Sequence, residues 1–273
     1  LQQGYNIEDA YKKFSKKLAV IPVINYEGKI CDVIKKHHIV PFLDIKSKKI
    51  LVVGLGYVGL TLSLVLAESG FNVIGYDKNK KLVDKIQNKK SPFYEKGIEK
   101  YLEDNVNKNL EIVNQPTPSD IYIITVGTPL NKNNKSPDLS FIKKSIEKIS
   151  GLIKKNDLII LRSTVPIGCS RNFVIPIIEK KTKLKFGKDI FLAFCPERTI
   201  EGEAIKELKK IPQIIGSFCK KSSELAKRVF NEYNFTVIEV SDLESAELCK
   251  LIDNSYRDTI FAYTNQLSLL SEK

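Results

Sequence analysis

The stretch from residue 49 to residue 77 limits the possible folds of this chain more than any other part of its sequence. An apolar run leads into three closely spaced glycines, a longer apolar stretch with small residues follows, and a second short apolar run ends on an acid. These parts lie at 50–53, 54–59, 57–69 and 72–76, and the acid is Asp77. A strand, a glycine turn, a helix and a second strand in this order are typical of the start of a doubly wound α/β sheet.

The three glycines have separate physical roles in such a turn. Gly54 permits the tight turn, Gly56 removes a side chain that would block a pyrophosphate, and Gly59 lets the helix pack close to the strand. Helix 57–69 then directs its first N–H groups toward the phosphates. Asp77 can accept hydrogen bonds from the adenosine ribose and would repel a 2′-phosphate. The sequence predicts an NAD site in preference to NADP, and the alternative is a strand-to-helix turn that binds nothing.

The composition allows one large or two modest globular domains, because 273 residues with 42% hydrophobic content can bury a sizeable core. No apolar stretch reaches the roughly 18 to 20 residues needed to cross a bilayer, and the first residues lack the order of a signal peptide. We therefore expect a cytoplasmic location and no membrane partner. Since the chain has no methionine, not even at position 1, we also expect a fragment or a processed chain.

The net charge of +12 comes mostly from lysines scattered along every segment, and no basic stripe alternates with aromatic residues. This pattern predicts a solvated surface that can attract an anionic substrate, and no nucleic-acid partner. Only five arginines occur, and four of them lie inside or beside the motifs described below. The five cysteines form no Cys-x-x-Cys pair and no histidine spacing suited to zinc, so we expect free thiols and no metal.

The first 45 residues have a pattern of their own. They predict a helix at 7–18, a strand at 20–24, a turn at 25–28, a strand at 29–34 and a further segment at 38–43. This order, with Ile-Pro-Val-Ile-Asn-Tyr-Glu-Gly-Lys at its centre, resembles the closing half of a CBS domain, a small module that often binds adenine nucleotides. A simple N-terminal hairpin is the alternative. We expect residues 1–45 to be a CBS-like remnant or an extension.

From residue 46 onward, predicted strands alternate with predicted helices. The strands are 49–53, 72–76, 110–113, 121–126, 157–161, 190–194 and 235–239, and a helix is predicted at 222–233. Alternation of this kind predicts a Rossmann-like doubly wound parallel sheet over 46–240, with the ligand crevice at the carboxyl ends of the strands. Ser241 or Asp242 then begins a long helix over 241–273, which we expect to link two domains.

Polar and glycine-rich segments follow three successive strands. They are Val-Gly-Thr-Pro at 126–129, Arg-Ser-Thr-Val-Pro-Ile-Gly at 162–168 and Cys-Pro-Glu-Arg-Thr-Ile-Glu-Gly at 195–202. Because the carboxyl ends of parallel strands meet at one edge of a sheet, we expect the nicotinamide and a substrate to meet there.

With these motifs the chain resembles the nucleotide-sugar 6-dehydrogenase family, which contains the UDP-glucose and UDP-N-acetylmannosamine dehydrogenases. The resemblance covers about residues 49–273 and rests on six motifs in order: Gly-Leu-Gly-Tyr-Val-Gly-Leu (54–60), Pro-Phe-Tyr-Glu-Lys-Gly (92–97), Val-Gly-Thr-Pro (126–129), Arg-Ser-Thr-Val-Pro (162–166), Pro-Glu-Arg (196–198) and Ala-Glu-Leu-Cys-Lys-Leu-Ile-Asp-Asn-Ser-Tyr-Arg (246–257). The forms Pro-Glu-Arg-Thr-Ile-Glu-Gly and Asn-Ser-Tyr-Arg resemble the branch acting on UDP-N-acetylhexosamines.

The resemblance implies oxidation of the C6 alcohol of a UDP-sugar to the uronate with two NAD, through a cysteine thioester, for polysaccharide biosynthesis. Thr164 and Glu197 would position the attacking water, with Glu197 as the base, and Lys250 and Asn254 would bind the C6 oxygen as it gains negative charge. The remaining implied contacts are to the sugar, from Glu197, Arg198, Glu201, Lys250, Asn254 and Arg257, and to the cofactor, from Tyr57, Val58, Glu95, Thr128 and Thr164.

Each proposed role has a simpler alternative. Glu197 could be a loop acid paired with Arg198 or a lysine, Lys250 could pair with Glu247 on a solvated helix face, and Thr164 could cap the following turn.

None of the five cysteines matches the Gly-Gly-x-Cys-type nucleophile loop that the resemblance places beyond the long helix. We therefore expect these 273 residues to bind NAD without forming uronate.

Three function hypotheses remain open at this point. The first is the UDP-sugar dehydrogenase. The second is another two-domain dehydrogenase, of the 6-phosphogluconate or hydroxyacid type. The third is a non-catalytic regulatory module that binds adenine nucleotides or NAD. Helix 241–273 also predicts a homodimer, because its apolar stripe would otherwise be exposed.

Overall fold

A computed structural model describes residues 20–35, 45–131, 133–234 and 236–272. The chain divides into two compact units, residues 1–47 and 48–273. The predicted helix at 7–18 and the segment at 38–43 lie outside the described residues. The expected division into 1–45, 46–240 and 241–273 remains a prediction.

The first unit contains a β-hairpin. Strand β1 (Val20–Ile24) pairs antiparallel with β2 (Ile30–Lys35), close to the predicted bounds. The side chain of Asn25 accepts hydrogen bonds from the N–H groups of Glu27 and Lys29, and this fixes the turn between the strands. The two predicted strands are confirmed, while the CBS resemblance and its alternative, a simple N-terminal extension, both remain predictions.

The second unit is built on a mostly parallel sheet of eight strands. Their sequence bounds are β3 (Lys49–Val53), β4 (Asn72–Tyr76), β5 (Leu110–Val113), β6 (Ile121–Ile124), β7 (Leu158–Leu161), β8 (Phe191–Phe194), β9 (Gln213–Ser217) and β10 (Val237–Glu239). The spatial order is β10-β9-β8-β7-β6-β3-β4-β5. The order from β5 to β8 is that of a Rossmann sheet, so the predicted fold class is confirmed.

Helices lie on both faces of this sheet. They are α1 (Tyr57–Glu68), α2 (Lys80–Gln87), α3 (Ile98–Asn105), α4 (Ser140–Ile149), α5 (Ile175–Thr182), α6 (Ala204–Leu208), α7 (Lys220–Asn231) and α8 (Leu243–Ser271). Helices α4 and α5 contact each other, while α1 contacts α3 and α6. Strands β6, β7 and β8 are buried at every position, and β3 and β4 at every position but the first, which explains their continuous apolar sequences.

Strand β9 is not among the predicted strands, and it makes the sheet depart from fully parallel order. It pairs antiparallel with β8 and parallel with β10. The connection from β8 contains only α6, five residues with a rise of about 8 Å. Such a short helix does not carry the chain back to the opposite edge of the sheet, so β9 begins near the edge where β8 ends.

The long C-terminal helix begins as predicted. Asp242 is its N-cap, and the Asp242 carboxylate accepts a hydrogen bond from the N–H of Ser245 at 2.7 Å. The first turns of α8 pack onto the rest of the second unit and bury Leu243, Ala246, Glu247 and Lys250. Beyond Lys250 the side chains are half-buried or exposed.

Within the described ranges, no helix is both long enough and apolar enough to cross a membrane. The same residues contain no cluster of three or more histidine, cysteine, aspartate or glutamate side chains placed to hold a metal ion.

Candidate functional site

A cleft of about 340 Å³ lies where the strand order reverses. Strand β3 has β4 on one side and β6 on the other, and the cleft is lined by residues that follow these three strands. This switch point, outside the carboxyl ends of the strands, is where doubly wound sheets bind ligands. The lining includes Gly54, Gly56 and Asp77, three of the predicted cofactor residues.

The three turn glycines differ in their surroundings as their predicted roles require. Gly54 has φ of +98°, a left-handed backbone that favours glycine. A Cβ at Gly59 would lie 1.8 Å from the carbonyl oxygen of Gly54, so α1 approaches β3 too closely for any side chain. A Cβ at Gly56 would meet nothing within 4 Å, which leaves open space beside the turn. Gly56 is also the N-cap of α1 and carries no side chain to engage the first N–H groups. These features fit a pyrophosphate at the turn.

Asp77 joins the glycine turn to the end of β4. One carboxylate oxygen accepts the N–H of Leu55 at 2.9 Å, and the other accepts the N–H of Asn79 at 2.8 Å. Each oxygen keeps a second lone pair for a ligand hydroxyl. The acid can therefore hold the turn and a ribose at once.

Three lysines that line the cleft were not among the predicted site residues. Lys78, Lys144 and Lys148 belong to its lining, and the Lys78 ammonium lies 4.9 Å from the ring centre of Phe141. The α4 lysines come from a segment with no motif, so only the fold shows that they reach this cleft.

The segments after β6 and β7 are joined to each other. The Thr128 hydroxyl donates to the carbonyl of Thr164, and the Ser163 hydroxyl donates to the carbonyl of Val126 at 2.6 Å. Two predicted site residues, Thr128 and Thr164, are thus neighbours. Among the described residues the Thr164 hydroxyl has no hydrogen-bond partner, so the alternative in which it caps the next turn is wrong.

Glu197 is buried and accepts four hydrogen bonds. One oxygen is bound by the Nε and Nη2 atoms of Arg162, with Nε at 3.0 Å. The other accepts the N–H groups of Arg198 at 2.7 Å and Thr199 at 2.8 Å. Glu197 does form an ion pair, but its partner is Arg162. The alternative that it pairs with Arg198 or with a lysine is therefore wrong.

Arg162 is 2% exposed and was not predicted as a site residue. Besides Glu197, its guanidinium donates to the carbonyl of Cys195 at 3.0 Å and to the side chain of Gln213 at 2.9 Å. Burial alone would raise the pKa of Glu197, but the charge of Arg162 and the Thr199 N–H outweigh it and hold that pKa below its usual value. Glu197 is therefore ionised and fixed in orientation.

Helix α8 brings further predicted residues to the same edge of the sheet. Lys250 is 8% exposed, and within the described chain it has no hydrogen-bond or ion-pair partner. Burial lowers the pKa of Lys250, and the nearby negative charge of Glu197 opposes this shift. Arg198 faces Asp253 of α8, with 3.9 Å between Nε and a carboxylate oxygen.

Glu247 does not pair with Lys250, contrary to the alternative drawn from the sequence. It is buried, and its carboxylate accepts the N–H groups of Gly168 at 2.5 Å and Ser170 at 2.7 Å. Glu247 thus fixes α8 to the segment after β7.

The other predicted substrate residues are more open. The side chain of Asn254 accepts a hydrogen bond from Arg257 at 3.3 Å, and both side chains are half-buried. Glu201 is exposed, and among the described residues its side chain makes no hydrogen bond or ion pair. Val58 is half-buried within the first turn of α1.

Two of the five cysteines are buried, and neither is suited to attack a substrate. Burial raises the pKa of Cys169 to about 12 and the pKa of Cys195 to about 12. A thiol of this kind carries almost no thiolate near neutral pH. All five cysteines are free thiols.

The fold and the cleft together define a dinucleotide-binding domain of the dehydrogenase type. Residues 48–234 match the UDP-glucose/GDP-mannose dehydrogenase family, NAD binding domain. The chain belongs to this family, as its motifs indicated, and its cofactor is NAD.

Known relatives agree with this assignment. The chain is 35% identical over 234 residues to the UDP-N-acetyl-D-mannosamine dehydrogenase of Methanococcus maripaludis, which covers 84% of this chain and 53% of that protein. It is 34% identical over 238 residues to an NDP-N-acetyl-D-galactosaminuronic acid dehydrogenase of Ralstonia nicotianae, and the match covers 85% of this chain and 56% of that protein. The solved structure of the UDP-N-acetyl-mannosamine dehydrogenase of Staphylococcus aureus matches with a TM-score of 0.75 and 36% identity. This match covers 81% of this chain and 54% of that chain. The chain spans about half the length of the curated relatives it matches.

Proposed function

We propose that this chain forms the NAD side of an enzyme that oxidises the C6 alcohol of a UDP-N-acetylhexosamine to the uronate and reduces two NAD. The observation that carries the proposal is the meeting of the glycine cleft, the 196–202 loop and Lys250 at one edge of the sheet. The names of the relatives favour a hexosamine over glucose, and so does the Pro-Glu-Arg form of the loop. The uronate would serve polysaccharide biosynthesis.

Bound NAD would supply the hydride acceptor for each oxidation step. The groups that bind the reacting oxygen would come from α8. Lys250 and Asn254 are four residues apart and therefore share one helix face. A buried ammonium without a partner is suited to a C6 oxygen that gains negative charge, because the low local dielectric strengthens the attraction.

Thr164 and Glu197 would position the water that hydrolyses the thioester. The Thr164 hydroxyl is free to contact water, whereas every lone pair of the Glu197 carboxylate is in use. For Glu197 to accept a proton, one of these four bonds must first break. Its action as a base is therefore tied to a shift of Arg162 or of the 198–199 backbone. Arg198, Glu201 and Arg257 would contact the sugar.

A cysteine nucleophile is required for the thioester step. Cys169 and Cys195 are excluded by burial, and no cysteine of this chain lies in the expected loop. We propose that these 273 residues bind NAD without producing uronate.

The test is steady-state NADH formation by the full-length natural protein with UDP-N-acetylmannosamine, UDP-N-acetylgalactosamine and UDP-glucose. We expect the highest kcat/KM with an N-acetylhexosamine. Lys250→Met should lower kcat by about 100-fold or more, since it removes a charge that stabilises the transition state. Lys227→Met, which removes a surface partner of Glu239, is the matched control and should leave kcat unchanged. A preference for UDP-glucose, or a fully active Lys250→Met, would contradict the proposal.

We further propose that α8 forms a homodimer contact. From Ile252 onward the helix carries an apolar stripe at helical spacing, and these residues are 43% to 69% exposed: Ile252, Tyr256, Ile260, Tyr263, Leu267 and Leu270. A stripe of this length is typical of a helix–helix seam. Light scattering of the chain should show a dimer that Tyr263→Glu converts to a monomer, while Asn265→Glu on the opposite face does not. A monomer at high concentration in the unaltered chain counts against this contact.

A further inference from the structure

The Pro-Phe-Tyr-Glu-Lys-Gly motif at 92–97 has no role in the chemistry proposed above, yet it contains a buried acid. Glu95 is 2% exposed and lies in the connection between α2 and α3. Its carboxylate accepts the hydroxyl of Tyr57 and, on the same oxygen, the N–H of Gly202 at 3.0 Å. The other oxygen accepts the N–H of Ile205 at 3.1 Å. We call these four residues the Tyr57–Glu95 latch.

Tyr57 occupies a special position in the chain. It is the first residue of α1 and directly follows Gly56 of the nucleotide turn. Its hydroxyl also accepts the N–H of Gly202 at 2.7 Å, and its ring centre lies 4.9 Å from that of Phe93. Burial and the hydrogen bond to Glu95 raise the pKa of Tyr57, so the phenol keeps the proton that it donates.

The latch joins three segments that are far apart in sequence. They are the nucleotide turn, the 92–97 connection and the end of the 196–202 loop, which carries Glu197 and Glu201. Beyond residue 198 the loop is half-buried or exposed, with Ile200 54% exposed. Its remaining contacts include the N–H of Ile200 on Glu207 at 2.7 Å and the N–H of Lys96 on the carbonyl of Gly202 at 3.3 Å. The Glu95 carboxylate and the Tyr57 hydroxyl therefore join the turn to the loop.

We propose that Glu95, acting through Tyr57, is a positioning residue that couples dinucleotide binding at the glycine turn to the order of the 196–205 segment. The proposal rests on the proposed function, which places NAD at the turn and the sugar at the loop. Coupling between two sites is reciprocal, so NAD at the turn orders the loop to the degree that an ordered loop tightens NAD binding. The latch can transmit such a change, because Tyr57 directly follows the turn, Gly202 belongs to the loop, and both are hydrogen-bonded to Glu95.

The test is hydrogen–deuterium exchange of the 273-residue chain with and without saturating NADH. In the unaltered chain, NADH should slow exchange at 54–60 and also at 200–206. Tyr57→Phe keeps the ring against Phe93 and removes the three hydrogen bonds of the hydroxyl, to Glu95, to the Gly202 N–H and, at 3.3 Å, to the carbonyl of Ile200. In this variant the 200–206 amides should exchange about tenfold faster without ligand, and NADH should no longer slow them, while protection at 54–60 persists.

Two further variants keep the result interpretable. Glu95→Gln retains the shape of the side chain and should give an effect in the same direction. Tyr101→Phe, whose hydroxyl accepts Lys209 outside the cleft, should behave as the unaltered chain. In the full-length protein, Tyr57→Phe should raise KM for the UDP-sugar more than it lowers kcat.

The outcomes separate the two proposals. Equal protection of 200–206 by NADH in the unaltered chain and in Tyr57→Phe overturns the coupling and leaves the NAD site standing. Protection of 54–60 without any effect at 200–206 in the unaltered chain does the same. Absence of protection at 54–60 in the unaltered chain overturns both the NAD site and the coupling built on it.

Discussion

Gly59→Ala is expected to lower the free energy of unfolding by about 3 kcal/mol, whereas Gly56→Ala leaves it within about 0.5 kcal/mol of the unaltered chain. The Cβ at Gly59 would lie 1.8 Å from the Gly54 carbonyl oxygen and 2.6 Å from the Thr125 hydroxyl. These two residues directly follow β3 and β6, so neither atom can move away without disturbing the sheet. Gly56 has φ of −65° and open space around its Cβ, so alanine fits the apo fold.

Gly56→Ala should affect NAD binding, whereas Gly59→Ala should affect folding. An alanine at Gly56 fills the space that the pyrophosphate needs, so NAD affinity should fall by about 100-fold, or about 2.7 kcal/mol. Urea unfolding and calorimetric NAD titration of both variants measure the two quantities. A Gly56→Ala chain that binds NAD normally would show that the phosphates lie elsewhere. A fully stable Gly59→Ala chain would show that α1 does not pack against β3 as described.

Arg162→Met should lower the free energy of unfolding by about 3 to 5 kcal/mol at pH 8, because it leaves Glu197 buried without its counter-charge. The matched control is Arg171→Met. Arg171 pairs with Glu244, but their side chains are 44% and 29% exposed, so solvent screens the pair and its loss should cost at most about 1 kcal/mol.

The Arg162→Met deficit should depend on pH in a definite direction. In the unaltered chain the pKa of Glu197 lies below its usual value, so the pair contributes stability above the unfolded pKa and loses it as pH falls through the folded pKa. Without Arg162, burial is no longer offset and the pKa of Glu197 rises above the unfolded value. Glu197 then takes up a proton as pH falls from 8 to 5, and the gap between variant and unaltered chain narrows. A gap below about 1 kcal/mol at pH 8, or one that widens toward pH 5, would contradict this account of the pair.

Much of the fold follows from local sequence patterns. The glycine turn, the six apolar strands from β3 to β8 and the start of α8 at Asp242 are each defined by residues close together in the chain. Strand β9 was not predicted, because its antiparallel direction results from the short connection through α6. That connection has no pattern of its own before the fold brings it beside β8.

The residues of the candidate site likewise include some that local sequence patterns predict and others that only the fold brings together. Gly54, Gly56, Gly59 and Asp77 could be assigned from spacing, since their contacts lie within one βαβ unit. The partner of Glu197 could not, because Arg162 is 35 residues away and reaches it through the packing of β7 against β8. The sequence does contain one hint, because the chain has only five arginines and Arg162 is one of them. Glu95 belonged to a recognised motif, but its role depends on Tyr57 and Gly202, which only the fold brings to it.

Buried carboxylates hold the glycine turn, the 196–202 loop and the start of α8 in place. Glu95 ties the loop to the turn, Glu197 ties it to β7 through Arg162, and Glu247 ties α8 to the segment after β7. Lys250 is the buried charge that these contacts leave without a partner in the described chain. For that reason we propose that Lys250 binds the substrate oxygen.

The most direct test of the proposed function is the number of NADH formed for each UDP-N-acetylhexosamine consumed by the full-length natural protein. We expect two NADH per sugar, with the uronate as product, because an alcohol is oxidised through the aldehyde to a carboxylate. One NADH per sugar with an accumulated aldehyde or ketone, or no NADH with any UDP-sugar, would contradict it.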